Sequence, residues 1–198
     1  MIPDIGALML VRYASTPVGP YDELIYIPGR WAYASGRNGL RITRLYVSTD
    51  ASVFNGRTNW NIPKHRANFS FHKDGAITTV SVSSPETPNK PFFSAKLAPV
   101  TGPIPAEVNS TITGSYLTLI QPPIPGDPSD PAIVGTDTWK SLVLDTKSKA
   151  INPVGITGNL GGRLGDGVGY PNIFPLLPVG LNLTGTLIFP VPEVFETI

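Results

Sequence analysis

Asn68-Phe-Ser-Phe-His-Lys-Asp-Gly-Ala-Ile-Thr-Thr-Val-Ser-Val82 decides the fold class. Two runs rich in Phe, Thr, Ile and Val alternate apolar with polar residues on either side of Asp74-Gly75. That dipeptide supplies the positive φ a tight hairpin turn demands. Outward from this hairpin the same grammar recurs, with short runs of strand formers bounded by Gly, Pro, Asn or Asp. Strands are predicted over Ala7–Ala14, Glu23–Ile27, Leu40–Ser48, Ala67–His72, Ile77–Ser83, Phe92–Leu97, Thr111–Ile120, Trp139–Asp145 and Leu183–Phe189. The sequence holds 22 prolines and 20 glycines, too many for a helical protein, because Pro removes a backbone donor and Gly raises the entropy cost of ordering. No long amphipathic helix is predicted. Residues Asp50 to Asn59 lack strand alternation and are read as a single helical turn, with Asp50 as N-cap. The segments Gln121–Asp137 and Gly155–Gly180 read as loops. The prediction is an all-β protein with minor helix, a single domain over residues 1–198.

Composition narrows the function classes. A formal net charge of +1 and only 15% charged residues give no electrostatic footprint for nucleic acid or an acidic membrane. A small, fairly apolar molecule is the expected partner. With no cysteine and two histidines, disulfides, thiolate chemistry and a cysteine or histidine metal cluster are excluded, so no metal and no cofactor is expected. No basic leader or apolar span is recognisable, which gives a cytoplasmic expectation. The glycine-rich run from Gly158 to Gly169 is followed by Tyr170-Pro-Asn-Ile-Phe-Pro, which opposes the helix that a phosphate loop needs; a mobile loop or lid is expected there instead.

Two clusters concentrate chemistry. Asn55-Gly-Arg-Thr-Asn-Trp-Asn-Ile-Pro-Lys-His65 gathers Arg57, Trp60, Lys64 and His65. A lysine becomes a nucleophile at neutral pH only when its ammonium is destabilised, by loss of water or by a nearby positive charge. From composition alone Lys64 is as well read as a surface lysine at a strand end. Ser15-Thr-Pro-Val-Gly-Pro-Tyr-Asp-Glu23 fixes a rigid turn that delivers Tyr21, Asp22 and Glu23 into the next strand, where alternation sends Asp22 and Glu23 to opposite faces.

Val18-Gly-Pro-Tyr-Asp-Glu-Leu24, Ile42-Thr-Arg-Leu-Tyr-Val-Ser48 and Asn55-Gly-Arg57 followed by Pro63-Lys64 together resemble the acetoacetate decarboxylase-like superfamily in order and spacing, over roughly residues 5 to 72. The resemblance implies an antiparallel, cone-shaped β-barrel with an apolar interior. It implies Lys64 as the lysine that forms an imine (Schiff base) with a substrate ketone, and Glu23 as a proton-handling residue. It also implies a homo-oligomer.

Where acetoacetate decarboxylases carry a second lysine after the nucleophile, this sequence has His65, mostly uncharged at neutral pH. Their second active-site glutamate aligns near Leu8. Their active-site arginine belongs to an N-terminal segment with no counterpart here, so a shortened N-terminus or a more open pocket is expected. Arg57 or Arg44 is then the candidate substitute for binding a carboxylate. Tyr21, Trp60, Arg57, His65 and Arg44 are the candidate substrate-binding residues.

The resulting expectation is a lyase or decarboxylase-like enzyme of specialised metabolism acting on a keto acid or polyketide-like keto compound, by decarboxylation, aldol cleavage, dehydration or cyclisation. A barrel that binds a small apolar molecule without turning it over is the alternative, and an assembly role is a third reading. The catalytic reading further expects Lys64 in an apolar pocket walled by Trp60, Ile62 and Tyr21, with Glu23 inside the pocket but beyond salt-bridge distance.

Overall fold

A computed structural model describes residues 6–100, 108–109, 114–175 and 177–196. The chain divides into two compact units. The first comprises Met1–Arg66, Ser110–Asp145 and Leu187–Ile198, and the second Ala67–Asn109 and Thr146–Thr186. Strands dominate both, and no helix among the described residues is long and apolar enough to cross a membrane.

The first unit carries two sheets. One joins β1 (Ala7–Tyr13), β2 (Tyr21–Ile27), β5 (Arg44–Val47) and β6 (Lys64–Arg66) in that order. The other runs β3 (Arg30–Ala32), β4 (Asn38–Leu40), β11 (Thr118–Gln121), β12 (Trp139–Val143) and β15 (Glu193–Phe195), read from the opposite edge. The single strand expected over Leu40–Ser48 is therefore two. β4 pairs with β3 and β11, β5 pairs with β2 and β6, and the chain changes sheet between them. Each strand satisfies its backbone groups with a different set of neighbours, which a propensity reading cannot separate.

Between β5 and β6 lies α1 (Asp50–Trp60), 11 residues long rather than the single turn expected. Its N-cap is Thr49, whose hydroxyl accepts from Ser52 N, and not Asp50, which is the first helical residue and supplies a negative charge to the first turn. Asn61 ends the helix at φ 55°, its backbone N–H donating to the Arg57 carbonyl. Left-handed backbone here falls to Asn, a residue that tolerates it. The helix exists because β5 and β6 are parallel neighbours, and parallel strands need a crossover between them.

A core of Ile25, Ile27, Leu40, Ile42, Leu45, Val47, Val53, Ile62, Leu119, Leu142 and Leu144 is buried within this unit. Each such side chain contributes roughly 1.5–3 kcal/mol on leaving water.

The second unit is a sheet in the order β10 (Val108–Asn109), β13 (Asp145–Gly158), β9 (Pro91–Pro99), β8 (Ile77–Ser83) and β7 (Asn68–Asp74), with β14 (Val179–Ile188) also on β13. The β7–β8 hairpin has the register expected, Asp74 opposite Ile77 across Gly75 at φ 56°. β13 was not foreseen: the expected strand stopped at Asp145 and Gly155–Gly180 was read as a loop, whereas the strand runs through to Gly158; Pro153 sits where its carbonyl, not its absent N–H, is used, accepting from Val100 N at 3.4 Å.

Nor is the glycine-rich stretch a lid. Leu164 O accepts from Ser94 N, Asp166 N donates to Phe92 O, and Tyr170 is fully buried against Phe93 with ring centroids 5.2 Å apart, so the segment is sewn onto β9. Gly165 permits that closeness: a Cβ there would fall 2.1 Å from Pro171 O.

All three sheets are open in strand order among the described residues, mostly antiparallel with parallel pairs at β4–β11 and β5–β6. Of the strand expected over Thr111–Ile120, residues 111–113 lie outside the described residues, Gly114–Leu117 is a 3-10 turn, and only Thr118 onward is strand.

Candidate active site

Register settles which side chains of the first sheet share a face. Tyr13 pairs with Tyr21, Val11 with Glu23, Glu23 with Val47, and Leu45 with Lys64. Directly opposed residues point the same way and alternate residues return to the same side, so Tyr13, Tyr21, Glu23 and Lys64 project together. Asp22 projects oppositely, paired with Arg12 at 3.0 Å. The expectation that Glu23 rather than Asp22 turns inward agrees with this geometry, since Glu23 is only 1% exposed.

Lys64 is the first residue of β6 and is 5% exposed. Its Nζ donates to Glu23 Oε2 at 2.8 Å, to Ser52 Oγ at 3.0 Å and to Tyr21 OH at 3.5 Å, and stands 5.0 Å from the Tyr21 ring centre. The second oxygen of Glu23 accepts from the Tyr13 hydroxyl at 3.3 Å. Glu23 was expected beyond salt-bridge distance; it is instead in direct ionic contact. The reason lies in the register, since β5 is the only strand between β2 and β6 and both long side chains turn inward across it.

Helix α1 roofs the lysine. Ser52 and Gly56, one turn apart on the same helical face, are both buried. A Cβ at Gly56 would lie 2.5 Å from both Cδ and Cε of Lys64, so the glycine opens the slot through which the side chain runs.

Two phenols share the face of the sheet that carries the carboxylate. The Tyr13 and Tyr21 rings are 4.7 Å apart, tilted by 37°. Burial, then the charge of Glu23, pushes the Tyr13 hydroxyl far above the ordinary tyrosine range, so it remains a donor at any working pH. Both tyrosines also line an open groove of about 470 Å³, together with Arg12, Ala14, Pro20, Asp22 and Ser48. Pro20, one of the lining residues, follows the turn in which Gly19 at φ 86° donates its N–H to Thr16 O.

The remaining candidates are placed elsewhere. Arg57 is 2% exposed and spends its guanidinium on backbone carbonyls: Nε to Val134 O at 2.9 Å, Nη1 to Lys64 O at 3.2 Å, and Nη2 to Pro125 O. It clasps the proline-rich loop to the site strand. Arg44 is exposed, and alternation puts it and His65 on the face opposite Lys64. His65 lies 6.4 Å from the Tyr46 ring, and loss of water, then the charges of Arg57 and Arg44, hold its imidazole below the ordinary histidine value. Trp60 closes α1, its indole N–H on Pro190 O at 2.9 Å and its ring 5.4 Å from Phe189. Ile62 belongs to the core. Of the expected wall, Tyr21 reaches Lys64 Nζ, and Ile62 meets Lys64 through the backbone, its carbonyl accepting from Lys64 N at 2.7 Å.

Tyr13 and Ser52 were missed. Alternation of Met9, Val11 and Tyr13 carried the first signal, and the i, i+4 spacing of Ser52 and Gly56 would have carried the second had the helix been read at full length. Leu8, where the superfamily's second glutamate aligns, pairs with Tyr26 on the face away from Glu23.

No protein-family model matches the sequence, and no curated protein does. Among solved structures, the chain is similar to an acetoacetate decarboxylase from Legionella pneumophila, with TM-score 0.66 and 14% identity over 97% of this chain and 74% of that one. A second acetoacetate decarboxylase gives TM-score 0.60 and 10% identity over 99% and 80%. The chain therefore has the acetoacetate decarboxylase-like fold, as the three motifs implied, and at these identities the likeness is one of fold.

Proposed function

We propose that this protein is a Schiff-base enzyme in which Lys64 attacks the carbonyl carbon of a small keto acid or polyketide-like keto compound reached through the Tyr13–Tyr21 groove. The observation that carries the reading is a slot built for one lysine. Nζ is buried among three oxygens, and the helix above it is cut back to glycine where the side chain passes. Tyr21 lines the open groove and its hydroxyl also accepts from Lys64 Nζ at 3.5 Å, the link between groove and lysine that this reading uses.

In this reading Glu23 takes a proton from Nζ, the amine adds to the ketone, and Glu23 passes that proton to the alkoxide; a second proton then moves from the carbinolamine nitrogen through Glu23 to the hydroxyl, which departs as water and leaves the protonated imine. The protonated imine draws electrons from the adjacent carbon. In decarboxylation the bond to the carboxylate breaks, carbon dioxide departs, the resulting enamine is protonated at carbon, and water releases the ketone and Lys64. Aldol cleavage, dehydration and cyclisation use the same intermediate.

In this reading Tyr21 is the substrate-binding residue, its hydroxyl 3.5 Å from Nζ. Closure of the sheets into a cone-shaped barrel and assembly into a homo-oligomer belong to the same proposal, supported by the resemblance to acetoacetate decarboxylases.

The 2.8 Å contact of Glu23 with Lys64 favours a second reading, a non-catalytic protein that binds a small apolar molecule, because a close carboxylate stabilises the ammonium. Borohydride reduction with a panel of keto acids separates the two. An adduct on Lys64, absent in Lys64→Ala, supports the enzyme; ligand binding without any adduct leaves the binding protein.

A further inference from the structure

The sheet of the second unit ends on an unguarded strand. Among the described residues the one sheet neighbour of β14 is β13. Two glycines let it lie close on that side: a Cβ at Gly180 would fall 2.5 Å from Ile156 Cδ1, and one at Gly185 would run into the Lys147 carbonyl. The opposite edge presents a row of backbone donors and acceptors, a template for pairing with another chain. Natural edges are blunted by charged side chains or by proline within the strand. Here the sequence from Gly167 to Pro192 holds no Lys, Arg, His, Asp or Glu, and no proline falls between Val179 and Phe189.

The same strand leaves its apolar side uncovered. Alternation puts Val179, Leu181 and Leu183 on one face, and they are 51, 61 and 45% exposed. Leu177 and Phe174, just before the strand, are 78 and 60% exposed. An antiparallel sheet ordinarily turns its apolar face to a core and its polar face to water. In β14 the apolar face is the one in water.

Resting on the homo-oligomer reading, we propose that the free edge and apolar face of β14 are the interface with a second copy of this chain, the two β14 strands pairing antiparallel about a two-fold axis at Asn182.

The strand is complementary to itself. With Asn182 on the axis, Leu181 opposes the partner's Leu183 and Leu183 opposes the partner's Leu181, so the two apolar faces merge into one strip on the same side of the joined sheet. Asn182 and Thr184 fall on the other side. In such a pairing any charge would sit near its own image and repel it, and β14 has none to place there. Burying a Leu or Val side chain removes on the order of 100 Å² of apolar surface. The five exposed side chains of each copy therefore bring the pair to on the order of 1,000 Å², the size at which a specific interface begins. An acidic lipid surface or nucleic acid would call for basic residues around the strip, and the segment from Gly167 to Pro192 lacks them.

Light scattering at micromolar protein, with Leu181→Lys combined with Leu183→Lys, tests the interface. The native protein is expected at twice the mass of the chain or more. The double variant sets four like charges into one strip, and its association is expected to weaken at least about a hundredfold, which at least halves that mass. Should the double variant lose its β-sheet circular dichroism, single cysteines answer the question alone, because the chain has none of its own. A cysteine at position 182 would face its own copy with Cα atoms about 4.5–5.5 Å apart, within the span of a disulfide. Mild oxidation of Asn182→Cys is expected to give a covalent dimer, and Lys73→Cys, on the exposed β7–β8 hairpin, is expected to give none. A native monomer overturns the homo-oligomer reading and this interface with it. An oligomer that survives the double substitution, or equal cross-linking at positions 182 and 73, overturns the interface alone.

Discussion

Lys64 and Glu23 form a buried pair whose two halves depend on each other unequally. Taking both charges out of water is expensive, and their attraction offsets this only while both remain. Replacing Lys64 by Met leaves the Glu23 carboxylate buried without its cation and is expected to cost about 3–5 kcal/mol in chemical denaturation. Glu23→Gln combined with Lys64→Met is expected to recover most of that loss; equal instability in single and double variants would show that packing, not charge, sets the cost. Gly56→Ala separates stability from chemistry. Alanine favours helix by up to about 1 kcal/mol over glycine, but its Cβ meets the Lys64 stem at 2.5 Å. Trapping of a keto acid at Lys64 is expected to fall at least about tenfold while the midpoint of unfolding moves little. His65 gives a pH signature. Its imidazole binds a proton less readily when folded than at the ordinary value of 6.5, so the unfolded chain holds more protons below that pH. Its contribution to stability is complete above about pH 6.5 and is lost as pH falls towards the depressed folded value. His65→Asn is expected to flatten the stability profile in that window, as denaturation at pH 5 and pH 7.5 would show.

Helix α1 performs three tasks along its length. Its start is capped by Thr49, and Thr49→Ala is expected to cost about 1 kcal/mol without altering trapping. Its middle presents Ser52 and Gly56 to the lysine. Its end sends Arg57 to three backbone carbonyls and, with Asn61 bonding the carbonyls of Pro122 and Thr138, ties down the loop over 121–137. Arg57→Met strands those acceptors in a buried place, and a loss of roughly 3 kcal/mol or more is expected, together with faster proteolytic cleavage within 121–137. A substrate-binding arginine would behave differently, leaving stability unchanged while weakening ligand binding. The helix was read short because its polar residues, Asn55, Thr58 and Asn59, are poor helix formers and its apolar positions are few. What sustains it is the crossover between parallel strands, a relation between distant segments.

At the scale of the whole molecule, all-β architecture was legible from the sequence because turn residues and two-residue alternation act locally. Asp74-Gly75 fixed its hairpin, and alternation put Asp22 and Glu23 on opposite faces, while the resemblance to acetoacetate decarboxylases singled out Glu23 as the inward one. Lys64 was singled out by the resemblance that Asn55-Gly-Arg57 and Pro63-Lys64 carry, whereas composition alone read it equally well as a surface lysine. Other features are decided by contacts between segments far apart in the chain. β5 and β6 pair in parallel, which brings Lys64 across Leu45 to Glu23 and makes an ion pair where a gap was expected. Arg57 looked like a ligand-binding cation until the loop over 121–137 came to lie on it, and nothing local in the sequence of β13 signalled that β9, β10 and β14 would all bond to it. The difference is physical: a residue's turn preference and face are set by its own backbone, whereas its partners are set by which strands lie side by side.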